Sequence, residues 1–494
     1  MKVLIVAPYG ANQYHFETDL ELTQQHLLKG DAVTLLKCSA GLLSCDINLD
    51  HHPDQCINCM LRRRRALRTL EGRVHVQSML RLEPEDQRAL RSVRTEFSSL
   101  EDLRSYRFGS FDLGMAVVSS IVSRSRNPEP SLRREATRVR NLTLSAAGTY
   151  LAMRRRLRHQ PYDRVYAFNG RFAIMRAVLR ACQEEEGVDC YLHDRGSSIE
   201  RYALFRNALP HSVDIMDGKI RTAWQEAEGS ADRLRIASSF FEGRKRGEVQ
   251  NWYSFVSGQD ATLLPKTWNA GRRNIVVFSS SEDEFVAIGK EWENPLYNSQ
   301  QSGLIRIVED LRGIEGVACH IRLHPNSQDA AAESIKRIVE LEGGNIFIVR
   351  PESPVSSYAM LMASDIALTF GSTMGLEATY WGKPSVLAGQ CFFRNLGSTY
   401  NPDDHDRLIR LLLQETAAAD RLGALMYGYY FATFGEPFVH FRPESLWGGR
   451  FRSRPIGPGP IGYRLIRGLR SRAGFLPNRI LRFLFDLRAA RILR

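Results

Sequence analysis

The sequence predicts an α/β protein built from two Rossmann-like domains and a basic C-terminal tail. Three observations lead there. A chain of 494 residues is too long for a single hydrophobic core. Its start alternates strand and helix patterns, and residues 365–389 (DIALTFGSTMGLEATYWGKPSVLAG) read as strand, tight turn, helix and second strand, one unit of a parallel sheet. The domains are expected at 1–256 and 257–449, with the tail at 450–494.

Residues 2–7 form a buried strand, 17–29 a helix closed by Gly30, and 31–37 the next strand. The loop Pro8-Tyr9-Gly10-Ala11-Asn12 has one glycine, so it lacks a dinucleotide fingerprint and argues against NAD. His15, Glu17 and Asp19 follow at the strand's carboxyl edge, each either a helix N-terminal residue or a group of the site. Cys38, Cys45, Cys56 and Cys59 fall within 22 residues, with His51 and His52 between them. The C-x2-C pair suits zinc, but six residues separate the first two cysteines, and free thiols are often simply buried. No metal is expected.

Residues 80–158 carry apolar side chains at helical intervals and break at Asn127-Pro128-Glu129-Pro130. Between 163 and 198 a β-α-β unit ends its strands in Asn169-Gly170-Arg171 and Asp194-Arg195-Gly196. Asn169 and Arg171 are candidates to hold an anionic or hydroxyl-rich substrate. Asp194 is either a general base or the partner of Arg195 in fixing the loop. Residues 236–259 read as a polar helix with the cationic patch Arg244-Lys245-Arg246, leading into a linker.

The second domain opens with a strand at 274–278 and then Ser279-Ser280-Ser281-Glu282-Asp283-Glu284, where Ser280 is a candidate donor-binding residue. The strand 318–323 stops at His324-Pro325, because proline cannot continue a central strand. Ligands of open parallel sheets bind at that edge. After the strand 366–369, Gly371-Ser372-Thr373 lead into a helix whose unpaired N–H groups favour phosphate, and Glu377 is placed to accept hydrogen bonds from a ribose diol.

The pair RLHPN and FGSTMGLEATYWGKPSVLAG resembles the donor-binding half of bacterial capsule and surface polysaccharide glycosyltransferases of the GT-B type. It is also similar to CDP-glycerol polyol-phosphate transferases and GT-B sialyltransferases, in which a His-Pro pair and a Ser/Thr pair hold the nucleotide phosphate. The resemblance implies two Rossmann-like domains facing a cleft, with His324, Ser372 and Thr373 on the phosphate of a CMP- or CDP-linked sugar. It also implies a polysaccharide or lipid-linked acceptor on the first domain, deprotonated by Asp194 or Glu17, and no cofactor beyond the donor. A nucleotide-sugar epimerase and a non-catalytic assembly protein share the fold and stay open as alternatives.

Of the formal charge of +12, the stretch from Arg450 onward contributes twelve arginines against Asp486, leaving the body nearly neutral. A neutral body argues against nucleic acid as a partner. The Pro/Gly run 454–460 followed by arginines among Leu, Ile and Phe suits an anionic membrane surface, with a basic protein-docking tail as the other reading. No apolar run approaches the length of a membrane span and the N-terminus lacks a signal-peptide core, so a cytoplasmic protein, peripheral to the inner face of the cell membrane, is expected.

Overall fold

The computed structural model describes residues 1–250, 252–325, 332–457 and Gly462. The chain forms two compact units. Unit 1 takes Met1–Ile121, Glu129–Pro210 and the chain from Gly435 onward, and unit 2 takes Val122–Pro128 and His211–Phe434.

Unit 1 begins with β1 (Lys2–Val6), β2 (Ala32–Lys37), β3 (His75–Ser78), β4 (Arg164–Phe168), β5 (Asp189–Arg195) and β6 (Arg201–Arg206). Strand β1 lies between β2 and β4, so the order β3-β2-β1-β4-β5 reverses beside β1, and all these neighbours are parallel. Val3 to Val6 are wholly buried because helices cover both faces of a parallel sheet. This is a Rossmann-like arrangement with an antiparallel β6 at its side.

Unit 2 carries β7 (Arg273–Phe278), β8 (Val317–Arg322), β9 (Ile346–Val349), β10 (Ile366–Thr369) and β11 (Ser385–Leu387). All are parallel in the order β11-β10-β7-β8-β9, with the reversal between β7 and β10. Strand β8 is buried along its whole length, His320 and Arg322 included, as befits a central strand. The two Rossmann-like units are thus both present, each with its own core.

The division differs from a single boundary at 256/257. The helices Val213–Glu226 and Arg233–Arg246 belong to unit 2, where they pack on the aromatic helix Leu422–Thr433. Gly428 permits that approach, since a Cβ there would come within 2.5 Å of the Ala237 carbonyl oxygen. Gly247, in the left-handed region, ends the second of these helices well short of residue 259.

The chain returns to unit 1 at Gly435 with β12 (Glu436–Pro437) on β6, then β13 (Phe441–Ser445), β14 (Gly448–Phe451) and β15 (Arg454–Pro455) in a small antiparallel sheet. The expected tail at 450–494 therefore starts too early, because Phe451 is fully buried with Phe441 in the core of unit 1. The carboxylate of Glu21 fixes this return by accepting the backbone N–H groups of Val439, His440 and Phe441 at 2.9–3.1 Å. Apart from Gly462, the proposed membrane-contacting segment lies outside the described residues.

A partly buried ion cluster joins two helices of unit 1. Asp112, before the helix Leu113–Ser125, meets Arg176 at 2.6 Å and Arg180 at 2.7 Å. Burial alone would raise the Asp112 carboxyl, but the Arg180 hydrogen bonds and the charges of Arg176 and Arg180 hold it well below the usual carboxylate range. Asp112→Ala removes the carboxylate that the buried Arg176 and its neighbour Arg180 share, and chemical denaturation should show a loss of about 3–5 kcal/mol. Because the folded value is depressed, this contribution is complete above about pH 4 and is lost as pH falls through the folded value.

Candidate functional site

The reversal between β7 and β10 places two turns side by side at the carboxyl edge of the unit 2 sheet: Ser279-Ser280-Ser281 after β7 and Gly371-Ser372-Thr373 after β10. His324 follows the next strand, β8, and donates its backbone N–H to Ser279 Oγ at 2.9 Å. A cavity of about 310 Å³ opens there, lined by both turns, His324, Arg244, Arg322, Tyr358 and the aromatic group Trp252, Tyr253 and Phe255. Gly371, at φ 135°, makes the turn possible, because a Cβ would sit 2.9 Å from the Gln390 carbonyl oxygen.

Each hydroxyl in the cavity has a distinct state. Gln300 clamps Ser280 from both sides, accepting its N–H at 2.7 Å and donating to its carbonyl at 3.1 Å. The Ser280 hydroxyl itself is buried without a partner among the described residues, an arrangement that costs stability. Thr373 Oγ1 accepts from Arg244 Nη2 at 2.8 Å, while Ser372 stays half-buried on the turn.

Charge here comes from arginine rather than from histidine or helix. Burial and the nearby Arg244, Arg126 and Arg322 push His324 down to about 4, so near neutral pH its imidazole is a neutral hydrogen-bonding group. The helix Met374–Tyr380 has seven residues, a short source of dipole. Arg322 donates to the carbonyls of Arg350 at 2.8 Å and Ser353 at 3.3 Å, and burial lowers it only to about 10, so it keeps its proton.

Glu377 is not where a ribose diol would find it. Its side chain is 0 % exposed, held by Arg244 Nε at 2.9 Å and by the Tyr358 hydroxyl. The expectation of a sugar-binding carboxylate gives way to that of a buried partner for Arg244. Arg244, Arg322 and Tyr358 were not singled out as site residues from the sequence. No local spacing connects Arg244 to Glu377, which lies 133 residues further along the chain.

In unit 1, β1, β4 and β5 bring a second polar group to one edge. Asn169, at φ 55°, donates from Nδ2 to Asp194 Oδ2 at 2.6 Å, and the Arg195 N–H reaches Asp194 Oδ1 at 2.8 Å. Burial raises the Asp194 carboxyl, which makes it a better proton acceptor. The Arg195 guanidinium lies over the Tyr14 ring at 4.1 Å and donates to the Leu446 carbonyl at 2.9 Å. His193 pairs with Asp19 at 2.8 Å, and His15 lies 4.0 Å from the Phe168 ring, kept neutral by burial and the charges of Arg195 and His193. Arg171 is mostly buried, its guanidinium over the neighbouring Phe172 ring at 4.7 Å.

Glu17 does not join this group as a base. It is 1 % exposed and ion-paired with the equally buried Arg62, whose Nη1 also donates to the Gly10 carbonyl at 2.7 Å. The pair ties the helix Pro53–Leu67 to the loop after β1, a structural role with no open edge toward a substrate. Burial raises the thiols of Cys45, Cys59 and Cys56, the last to about 12. Among the described residues no group of three or more His, Cys, Asp or Glu is arranged to hold a metal ion.

No family model matches the sequence, and no curated protein matches it. Among solved structures, the chain is similar to the KpsC beta Kdo 2,7 transferase of Thermosulfurimonas dismutans at 15% identity and a TM-score of 0.35, over 64% of this chain and 89% of that one. The beta Kdo 2,4 transferase of the same organism's KpsC gives 11% identity and a TM-score of 0.36, over 62% and 88%. A UDP-GlcNAc 2-epimerase of Methanocaldococcus jannaschii, solved with UDP-GlcNAc and UDP, gives 11% and 0.25, over 95% and 100%. Likeness this slight transfers no activity. Protein purified without chelator is expected to carry substoichiometric zinc; a full equivalent of metal, lost on changing Cys56 and Cys59 to serine, would show that the thiols form a metal centre.

Proposed function

We propose that the chain is a glycosyltransferase that moves a sugar from a nucleotide-activated donor to a surface polysaccharide or its lipid-linked precursor. The observation that carries this reading is the unit 2 cavity. It lies at the strand-order reversal of a parallel sheet and combines an unpartnered buried serine hydroxyl, a neutral imidazole and arginine beside aromatic side chains. That set fits a nucleotide phosphate with a base or sugar against the aromatic wall.

In the proposed reaction an acceptor hydroxyl attacks the anomeric carbon as the bond to the phosphate oxygen breaks. The nucleotide leaves with the electron pair, and the acceptor proton passes to a carboxylate, for which Asp194 is the candidate. Hydrogen bonds from Ser280, Ser372 and His324 and the arginine charge stabilise the departing phosphate, a step that asks for no metal. Asn169 holds the Asp194 carboxylate, and Arg171 is proposed on the acceptor side. The donor is proposed to be CMP- or CDP-linked on the sequence resemblance. No helix among the described residues is long and apolar enough to cross a membrane.

The test is product analysis with CMP-, CDP- and UDP-sugars, with and without an oligosaccharide acceptor. Transfer that falls at least about 100-fold in Asp194→Asn, and falls together with nucleotide affinity in His324→Ala, supports the reading. Conversion of donor without acceptor makes the protein an epimerase, and binding without turnover makes it an assembly protein. Contact of the basic segment after residue 457 with anionic lipid is a separate proposal. A chain ending at Gly457 should stay folded and lose salt-sensitive sedimentation with phosphatidylglycerol vesicles.

A further inference from the structure

The cationic patch of the helix Arg233–Arg246 has one member that behaves unlike its neighbours. Arg246 pairs with Glu248 in an exposed ion pair, and Lys245 lies over the Trp381 ring at 4.4 Å. Arg244 turns inward to the cavity at the ends of β7 and β10. About a third of its side chain (33%) stays open there, while its partner Glu377 is wholly enclosed.

An enclosed carboxylate is costly unless it is paired and hydrogen-bonded. Glu377 meets that condition on both oxygens: Oε1 accepts from Arg244 Nε at 2.9 Å and Oε2 from the Tyr358 hydroxyl. Burial alone would lower the Arg244 pKa, but the charge and hydrogen bond of Glu377 together with the Tyr358 and Tyr427 hydroxyls more than offset it, so the guanidinium keeps its proton. A third contact, Nη2 to Thr373 Oγ1 at 2.8 Å, fixes its plane against the Gly371-Ser372-Thr373 turn. Of the other groups in the cavity, His324 is neutral, and Arg322 is turned to the Arg350 and Ser353 carbonyls, with its Nε buried and unpartnered among the described residues and with no hydroxyl of the two turns held by it.

We propose that Arg244 is the phosphate-binding cation of the unit 2 site, and that Glu377, braced by Tyr358, is the residue that positions it. This rests on reading the cavity as a nucleotide site, and it assigns the charge recognition there to a helix outside the parallel sheet. A phosphate oxygen reaching the open face of the guanidinium meets a fixed fork of donors, with Thr373 Oγ1 beside it. Glu377 touches no ligand in this scheme. Its effect is exerted through Arg244 alone.

The experiment compares affinities for CMP, CDP and UDP with those for cytidine and uridine, by calorimetry on the full chain. Arg244→Ala should weaken the phosphate-bearing ligands by at least about tenfold, as for loss of a charge-assisted hydrogen bond, and leave the nucleosides unchanged. Arg244→Lys should not restore them, because an ammonium cannot hold Glu377 and a phosphate with one planar fork. Glu377→Gln should reproduce the phosphate-selective loss, and adding it to Arg244→Ala should cost nothing more. If Glu377→Gln does not fold, Tyr358→Phe gives the same readout with a smaller loss.

Equal losses for nucleotides and nucleosides, unaltered nucleotide binding in Arg244→Ala, or additive effects of the two changes would each overturn the proposal. A protein that binds nucleotides through Arg244 but transfers no sugar overturns only the transferase reading. One that transfers sugar with nucleotide affinity unchanged in Arg244→Ala overturns only this one.

Discussion

Strand order decides where unit 2 can hold a ligand. In a parallel sheet the helices that follow neighbouring strands usually cross on the same face, and their first turns close off the carboxyl edge. Where the order reverses, they leave to opposite faces and a gap remains. Between β7 and β10 that gap is flanked by Ser279-Ser280-Ser281 and Gly371-Ser372-Thr373. The small residues there follow from the same constraint, since only short side chains leave room for a ligand to reach the backbone.

Both units use buried carboxylates to hold a segment rather than to meet a substrate. Glu377 fixes Arg244, Glu17 fixes Arg62, and Glu21 fixes the chain's return through three backbone N–H groups. In each case the acid is enclosed and its partner comes from a distant part of the sequence. Asp194 differs, for it is half-buried and held by an amide and a backbone N–H, with no arginine charge bonded to the carboxylate in those contacts. Burial raises the carboxyls of both Asp194 and Glu17, but only Glu17 is closed off by an arginine, so Asp194 is the one left able to take up a proton.

The strands were legible because a parallel sheet buried on both faces leaves a continuous apolar run. Arg164–Phe168 and Ile366–Thr369 end where Asn169-Gly170 and Gly371 interrupt that run. The turns at those ends were legible for the same reason, and so Ser280, His324, Ser372 and Thr373 come together in one cavity. What sequence could not show was the partner of each acid. Glu377 looks like an exposed helix residue until Arg244 is seen beside it, and Glu17 looks like a free N-terminal acid until Arg62 closes over it. Composition also misplaced the start of the tail, because an arginine-rich stretch hides Phe451, a core residue of unit 1.

Because unit 1 is interrupted, its completion is a question of time on the ribosome. Its main sheet is made early, yet Phe441, Phe451 and the edge strand β12 emerge only after the whole of His211–Phe434 has been synthesised. At about 5–20 residues per second, that is a wait on the order of ten seconds or more. Throughout it, the side of the core where Tyr14, Phe16 and Tyr202 meet those two phenylalanines lacks its cover, and β6 has an open edge. Unit 2 has all its strands before unit 1 does. The nascent chain therefore passes through a stage in which the later-made unit has all its strands while the aromatic side of the earlier-made core is still uncovered.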